Sequence, residues 1–220
     1  MKTKETTKMK ILNLYAGIGG NRKLWGDDHE ITAVEINKDI SKIYKDFYPN
    51  DNVIVADAHE YLRVNFKKYD LIWSSPPCPT HSRLNFSTRS RGKEYKYPDM
   101  KLYEEIIFLK TWFKGKWIVE NVRSYYEPLI KPQEISRHYF WTNFVLKNID
   151  VKSAIVGNIK NKTLEIKMKE RNLYIKNWHN YKGDKRTLLN NCVDSEIGLH
   201  ILNYAEGIIK ENKVEQNKLF

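Results

Sequence analysis

The first 150 residues alternate short apolar runs of strand length with stretches of helical patterning. The pattern predicts strands over 10–15, 31–36, 52–56, 69–74 and 117–121. Helices are expected between them, over 20–26, 38–47, 58–64 and 99–113. Such repeated strand–helix–strand units build an α/β fold around a mostly parallel sheet with helices on both faces. Ligands of such sheets bind at the carboxyl ends of the strands. The segment 75–98 breaks the rhythm as a long loop rich in Ser, Arg and Lys, and loops of that length are usually functional or mobile. After 137 the pattern turns to strands over 139–146, 153–159 and 164–175, and a helix over 194–211 follows. The expected organisation is a main domain over 1–146, a very small β-rich, basic insert over 147–185, and a segment over 186–220 that returns to the main domain.

Composition narrows the class. With 220 residues, 41% of them apolar, and 14 tyrosines, the chain is long enough for one domain with a covered core. No run reaches the roughly 20 apolar residues of a membrane span. The first ten residues, Met-Lys-Thr-Lys-Glu-Thr-Thr-Lys-Met-Lys, lack an apolar signal core, so no membrane partner and a cytoplasmic location are expected. Cys78 and Cys192 do not suggest a disulfide framework, and no Cys/His cluster has zinc spacing, so no metal is expected. A reducing compartment would keep Cys78 usable as a free thiol. The net charge of +11 favours a polyanionic partner, with Lys-rich coding bias as the competing explanation. The distribution favours the partner. Residues 145–190 hold eleven Lys/Arg against four Asp/Glu, and 79–99 hold five against two. Both stretches lie outside the predicted core strands, where a phosphate backbone can reach them.

Three strand ends carry candidate chemistry. Gly17, Gly19 and Gly20 follow the first strand, where glycine lets the backbone turn tightly and approach a ligand. Glu35 ends the second strand, where a carboxylate can take both ribose hydroxyls. Asp57 ends the third, where it can accept from an adenine amino group. Alone, each acid reads equally as a solvated strand end or a helix N-cap. No third glycine stands at the dinucleotide spacing, which argues against a nicotinamide cofactor. Further on, Trp-Ser-Ser-Pro-Pro-Cys (73–78) ends the fourth strand in a cysteine. The paired prolines stiffen the approach to Cys78. Trp-Ile-Val-Glu-Asn-Val (117–122) ends the fifth strand in Glu120 and Asn121. A Glu closing so apolar a strand is costly unless it is partnered.

The order glycine turn, cysteine, Glu-Asn resembles that of the DNA cytosine-5 methyltransferase family. Pro-Cys-Pro-Thr-His-Ser-Arg-Leu-Asn (77–85) is similar to the family's Pro-Cys-x-x-x-Ser-x-x-Asn, with Cys78, Ser82 and Asn85 in register. The resemblance implies a Rossmann-like fold and S-adenosyl-L-methionine as cofactor. It implies an adenosyl pocket lined by Tyr15 and Ala16, Ile36 packed on the adenine, and Ala58 and Pro76 in the same set. Leu-Leu-Asn-Asn-Cys-Val-Asp-Ser-Glu (188–196) is similar to the family's last motif and brings Asn191 and Cys192 to the methionine end, although Ser195 stands where the family usually has proline. Carbon 5 of cytosine is a poor nucleophile until a thiolate adds at carbon 6, the role implied for Cys78. Glu120 would bind and protonate ring N3. Asn121 would hold the cysteine loop. The family grips the base with an Arg-x-Arg pair. Here Ile-Ser-Arg-His-Tyr (135–139) has Arg137 alone, with His138 where the second arginine is expected; either Arg137 serves in a shifted register or His138 does the job, and Arg137 is the candidate.

Carbon 5 cannot be reached inside a duplex, so the target cytosine must be flipped out or already single-stranded. The loop residues Ser82, Arg83, Asn85, Arg89, Arg91 and Lys93 are the candidates to close over it and hold phosphates. Only about 40 residues remain where family members carry a target-recognition domain. The recognised sequence is then short, or a second subunit helps to read it. The expectation is a duplex-DNA cytosine-5 methyltransferase of phage or restriction-modification type. The alternatives are the tRNA-methylating branch of the family and a non-catalytic nucleic-acid-binding relative.

Overall fold

The computed structural model describes residues 8–83, 96–149 and 163–209. Seven strands form one sheet among them: β1 (Lys10–Leu14), β2 (Glu30–Glu35), β3 (Asn52–Val55), β4 (Leu71–Ser74), β5 (Lys116–Val122), β6 (Gln133–Ile135) and β7 (His138–Thr142). Their order across the sheet is β3-β2-β1-β4-β5-β7-β6. The first five are mutually parallel, and β7 runs antiparallel to both β5 and β6. The helices are α1 (Lys38–Phe47), α2 (Ala58–Asn65), α3 (Lys101–Trp112), α4 (Leu164–Arg171), α5 (Lys185–Asn190) and α6 (Ser195–Ala205).

Most positions of the central strands are apolar because both sheet faces are covered. Successive side chains point to opposite faces. Ile11, Trp73, Ile118 and Phe140 therefore meet Ile197, Ile201 and Leu202 of α6 on one face. Leu12, Ile72 and Val119 meet Leu62 of α2 and Leu102, Ile106 and Leu109 of α3 on the other. Each such buried Leu or Ile contributes about 1.5–3 kcal/mol relative to exposure.

Short acids and amides start the helices where they leave the strand ends. Asn37 accepts from the backbone N–H of Asp39 and Ile40, at 2.9 and 3.1 Å. Asp57 caps α2 by accepting from Glu60 N–H at 3.1 Å, and Asp194 caps α6 by accepting from Glu196 N–H at 2.9 Å. Behind the glycine turn, Arg22 forms a buried fork with Asp51, two bonds of 3.0 Å. Tyr44 donates to the same carboxylate at 2.7 Å, so the turn is tied to the entry of β3.

Several expectations are corrected. Over 20–26 there is only a 3-10 turn, Asn21–Leu24, because positive-φ glycines at 19 and 26 bound it too closely for a helix. The strand expected over 164–175 is instead α4. Its apolar positions 164, 166 and 168 alternate as in a strand. Thr163, however, caps a run of strong helix formers, and Asn172 ends it in the left-handed conformation. The described residues of the insert thus contain no strand, and the strand expected over 153–159 lies outside the described residues. α5 and β6 were not foreseen. The final helix is shorter than expected, Ser195–Ala205. Among the described residues no helix is long and apolar enough to cross a membrane.

Candidate active site

The carboxyl ends of the parallel strands open into a cavity of about 890 Å³. Tyr15, Ala16, Gly17, Gly20, Glu35, Ile36, Asp57, Ala58 and Pro76 all line it, as do Asn191 and Cys192 from the C-terminal segment. Cys78, Ser82, Arg83, Glu120, Asn121 and Arg137 line the same cavity. Gly19 does not. It is positioned for packing, since a Cβ there would stand 2.3 Å from the Tyr48 ring. Asn85, Arg89, Arg91 and Lys93 lie outside the described residues.

One end of the cavity is a cradle of backbone groups and carboxylates. Gly17, at φ +54°, turns its N–H onto Glu35 Oε2 at 3.0 Å, and Asn37 N–H donates to Oε1 at 2.9 Å. Burial raises the Glu35 carboxyl above its usual range despite these bonds. The carboxylate, which the Ile36 N–H also favours, keeps acceptor capacity for a ligand hydroxyl. The Asp57 carboxylate, although it caps α2, also lines the cavity. Gly20 lets the C-terminal segment close on the turn, since a Cβ there would lie 2.6 Å from Cys192 Cβ. Cys192 is buried, and burial pushes its thiol up to about 11, so it packs rather than reacts. A ligand with a ribose, a flat ring and a polar tail suits this donor and acceptor set.

Sequence reasoning missed the support beneath the cradle. Tyr15, itself at φ +54°, donates to Glu105 Oε1 at 2.6 Å. His59 Nδ1 meets the same oxygen at 3.0 Å, and Ser74 donates to Oε2 at 2.5 Å. Glu105 is fully buried on α3 and so joins the ends of β1 and β4 to the first turn of α2. Its bonds raise the His59 imidazole above its usual range. An acid directly before the apolar run Ile-Ile-Phe-Leu (106–109) would have been the only signal. Lys167 and Arg171 of α4 also reach the cavity wall.

The other end carries Cys78. The loop after β4 is pinned from three sides. Asn121 donates to Pro76 O at 3.0 Å. The N–H groups of His81 and Ser82 both donate to Cys78 O at 3.0 Å. Tyr125 N–H donates to His81 O at 3.0 Å, and the His81 ring meets Tyr126 Oη at 2.6 Å. Burial, with the Glu120 carboxylate second, raises the Cys78 thiol above its ordinary value, while Arg137 opposes the shift. Burial and Arg171 disfavour the charge on Arg137, which Glu120 and Asp194 favour. Glu120 is buried on β5, and its Oε1 stands 2.5 Å from Nδ1 of buried His138 on β7.

These signs make a test. Alkylation of the free protein by iodoacetamide at Cys78 is expected to be slow at neutral pH and to speed up as pH rises. Glu120→Gln should accelerate it at fixed pH, and Arg137→Ala should slow it. Peptide mass spectrometry, with Cys192 as the internal buried thiol, reads the rates. Equal rates in all three proteins would show that the thiol does not feel these charges.

A parallel sheet with a glycine turn, strand-end acids and an antiparallel last strand is the architecture of the S-adenosylmethionine-dependent methyltransferases. Residues 9–128 match the family model described as C-5 cytosine-specific DNA methylase, and the chain belongs to that family. Its cofactor is S-adenosyl-L-methionine. Over 80 residues the chain is 39% identical to the tRNA (cytosine(38)-C(5))-methyltransferase of Spodoptera frugiperda, covering 34% of this chain and 24% of that protein. Over 82 residues it is 26% identical to the enzyme of the same name from Mus musculus, covering 34% and 20%. The matches thus span about a quarter or less of these relatives' length. A solved structure of Spodoptera frugiperda DNMT2 is 30% identical, covering 51% of this chain and 35% of that one, with a TM-score of 0.38.

Proposed function

We propose that the protein transfers a methyl group to carbon 5 of a cytosine in duplex DNA, flipped into the cavity. The observation that carries this reading is the meeting of Cys78, Glu120 and Arg137 on one wall of a cavity whose other end is the Glu35–Gly17 cradle. S-adenosylmethionine supplies an electrophilic methyl group when bound. Glu35 and Asp57 hold its ribose and adenine, and Asn191 and Cys192 close on its methionine end. The thiolate of Cys78 adds to carbon 6 of the base and makes carbon 5 nucleophilic. Glu120 hydrogen-bonds N3 and the exocyclic amino group and donates a proton as charge builds on N3. Arg137 grips the O2 side and steadies Glu120. Arg83, with the basic residues that follow it in sequence, holds the flanking phosphates.

The cytosine target in tRNA is the second reading. The observation favouring it is the name of the two curated relatives, both tRNA methyltransferases. The small insert suits it too, since few side chains are left to read a groove.

Tritiated S-adenosylmethionine offered with duplex DNA, single-stranded DNA and tRNA separates the readings. Label in DNA supports the first, label in tRNA alone moves the protein to the second, and label in neither overturns both. Glu35→Ala should weaken cofactor binding by about 1.5–3 kcal/mol, the scale of hydrogen bonds to a charged group. Calorimetry checks this, and an unchanged Kd would remove Glu35 from the cofactor site.

A further inference from the structure

The face of α4 that turns to the cavity carries two cations. Lys167 and Arg171 both line it, and residues four apart share a helix face. Packing holds that face in place. Leu164, Met168 and Leu173 cluster with Ile18, Ile43 and Leu188. Lys167 Nζ donates to Asn190 Oδ1 at 2.7 Å. The helix stops at Arg171, where Asn172 turns left-handed and Leu173 N–H donates to Met168 O at 2.9 Å. Arg171 thus enters the cavity wall from a fixed helix end.

A buried cation is costly unless it is well partnered. The Arg171 side chain is only 12% exposed. The acid it meets is Asp194, with Nη1 and Oδ2 3.8 Å apart, long for a charge-assisted bond. That carboxylate already accepts from Glu196 N–H at 2.9 Å as the cap of α6. Arg171 also stands close enough to Arg137 to disfavour the charge there. Two guanidiniums gathered on one cavity wall, one of them far from its acid, make a seat for an anion. The cofactor's carboxylate suits it poorly. A sulfonium and an ammonium accompany that carboxylate, so the methionine end is net positive and adds to the repulsion. A phosphodiester brings a negative charge on two free oxygens, which a guanidinium fork matches. Arg137 lies toward Glu120 and Cys78, where the base goes, and Arg171 is the next cation along the wall.

We propose that Arg171 is a nucleic-acid-binding residue that takes a phosphate of the nucleotide whose base Arg137 grips. The inference rests on the methyl-transfer reading above and names the contact that seats the target strand in that site. It also gives the small insert a task. With few side chains to read a groove, the insert holds the backbone instead, and such contacts position a strand without reading its sequence.

Fluorescence anisotropy measures binding of labelled mixed-sequence duplex DNA, single-stranded DNA and tRNA from about 50 to 200 mM salt. Arg171→Ala should weaken binding by about 10- to 100-fold, the worth of a hydrogen-bonded charge. It should also cut the slope of log affinity against log salt by about one. Arg171→Lys keeps the charge and loses the fork, so it should keep the slope and lose part of the affinity. Asp194→Asn still caps α6 and removes the competing charge, so it should bind at least as tightly as wild type. Were Arg171 only a structural partner of Asp194, both Arg171→Ala and Asp194→Asn would lower the melting temperature and neither would change the slope. That result overturns the inference. Calorimetry should find cofactor affinity unchanged in Arg171→Ala. Weaker cofactor binding with an unchanged salt slope would assign the arginine to the carboxylate and overturn the inference too. In a sequence that takes label, a neutral methylphosphonate beside the target cytosine should weaken wild type about as much as Arg171→Ala does. It should cost that variant little more, as for two groups in contact. Additive losses would place the contact on another phosphate and overturn the inference. A wild type that labels neither DNA nor tRNA, with a salt slope that still depends on Arg171, overturns methyl transfer and supports the phosphate contact.

Discussion

Cys78→Ala should reduce methyl transfer by on the order of 10⁴- to 10⁶-fold, the scale seen when a covalent nucleophile is removed. Cofactor affinity should stay near wild type. The two effects separate because Cys78 stands at the opposite end of the cavity from the Glu35 cradle. The loop is held by Asn121 to Pro76 O and by backbone donors to Cys78 O, none of which needs the thiol. The variant therefore keeps its shape and loses only the sulfur. Substrate containing 5-fluorocytosine sharpens the test, because the fluorine blocks the last step and traps the S–C6 bond. A covalent complex stable to denaturing electrophoresis is expected for wild type and none for Cys78→Ala. Transfer at more than about a hundredth of the wild-type rate in Cys78→Ala would remove the nucleophile assignment, since acid–base and positioning effects alone do not replace a covalent route.

Glu120→Gln ranks second, with an expected fall of about 10²- to 10⁴-fold, the usual worth of a positioned general acid. The amide is nearly isosteric and can still meet His138 and the base, but it cannot give up a proton. Removing the carboxylate also removes the charge that raises the Cys78 thiol. More thiolate should therefore form while the rate still falls, a combination that a plain folding defect would not produce. Measured together, faster alkylation and slower transfer identify Glu120 as the acid. A variant that alkylates and transfers like wild type would exclude it.

Much of the site was legible before any coordinates. Gly17, Glu35, Asp57, Cys78 and Glu120 each close an apolar run, and in a parallel sheet every run ends on the same side. Chain order alone thus gathers them on one rim. Gly19 does not line the cavity, which sequence could not say because it does not show which way a turn faces, and here it faces Tyr44 and Tyr48. α4 was misread because period-2 apolar spacing at 164, 166 and 168 competes with a Thr163 cap and helix-forming side chains. Lys167 and Arg171 entered the cavity wall with that helix. Glu105 was passed over because an acid inside a helix is ordinarily solvated. Only the packing of α3 against β4 and α2 shows it buried among Tyr15, His59 and Ser74.

By itself, then, the sequence determined the alternation of strands and helices, the rim of strand-end chemistry and the membership of a family, because these depend on local pattern and chain order. The tertiary structure alone decided the partners. It paired Glu120 with His138 through the antiparallel register of β5 and β7, and it set Arg137 near Arg171 and Glu105 beneath the cradle. Such contacts join residues far apart in the chain, and their geometry follows from how sheet and helices pack rather than from any spacing that a sequence displays.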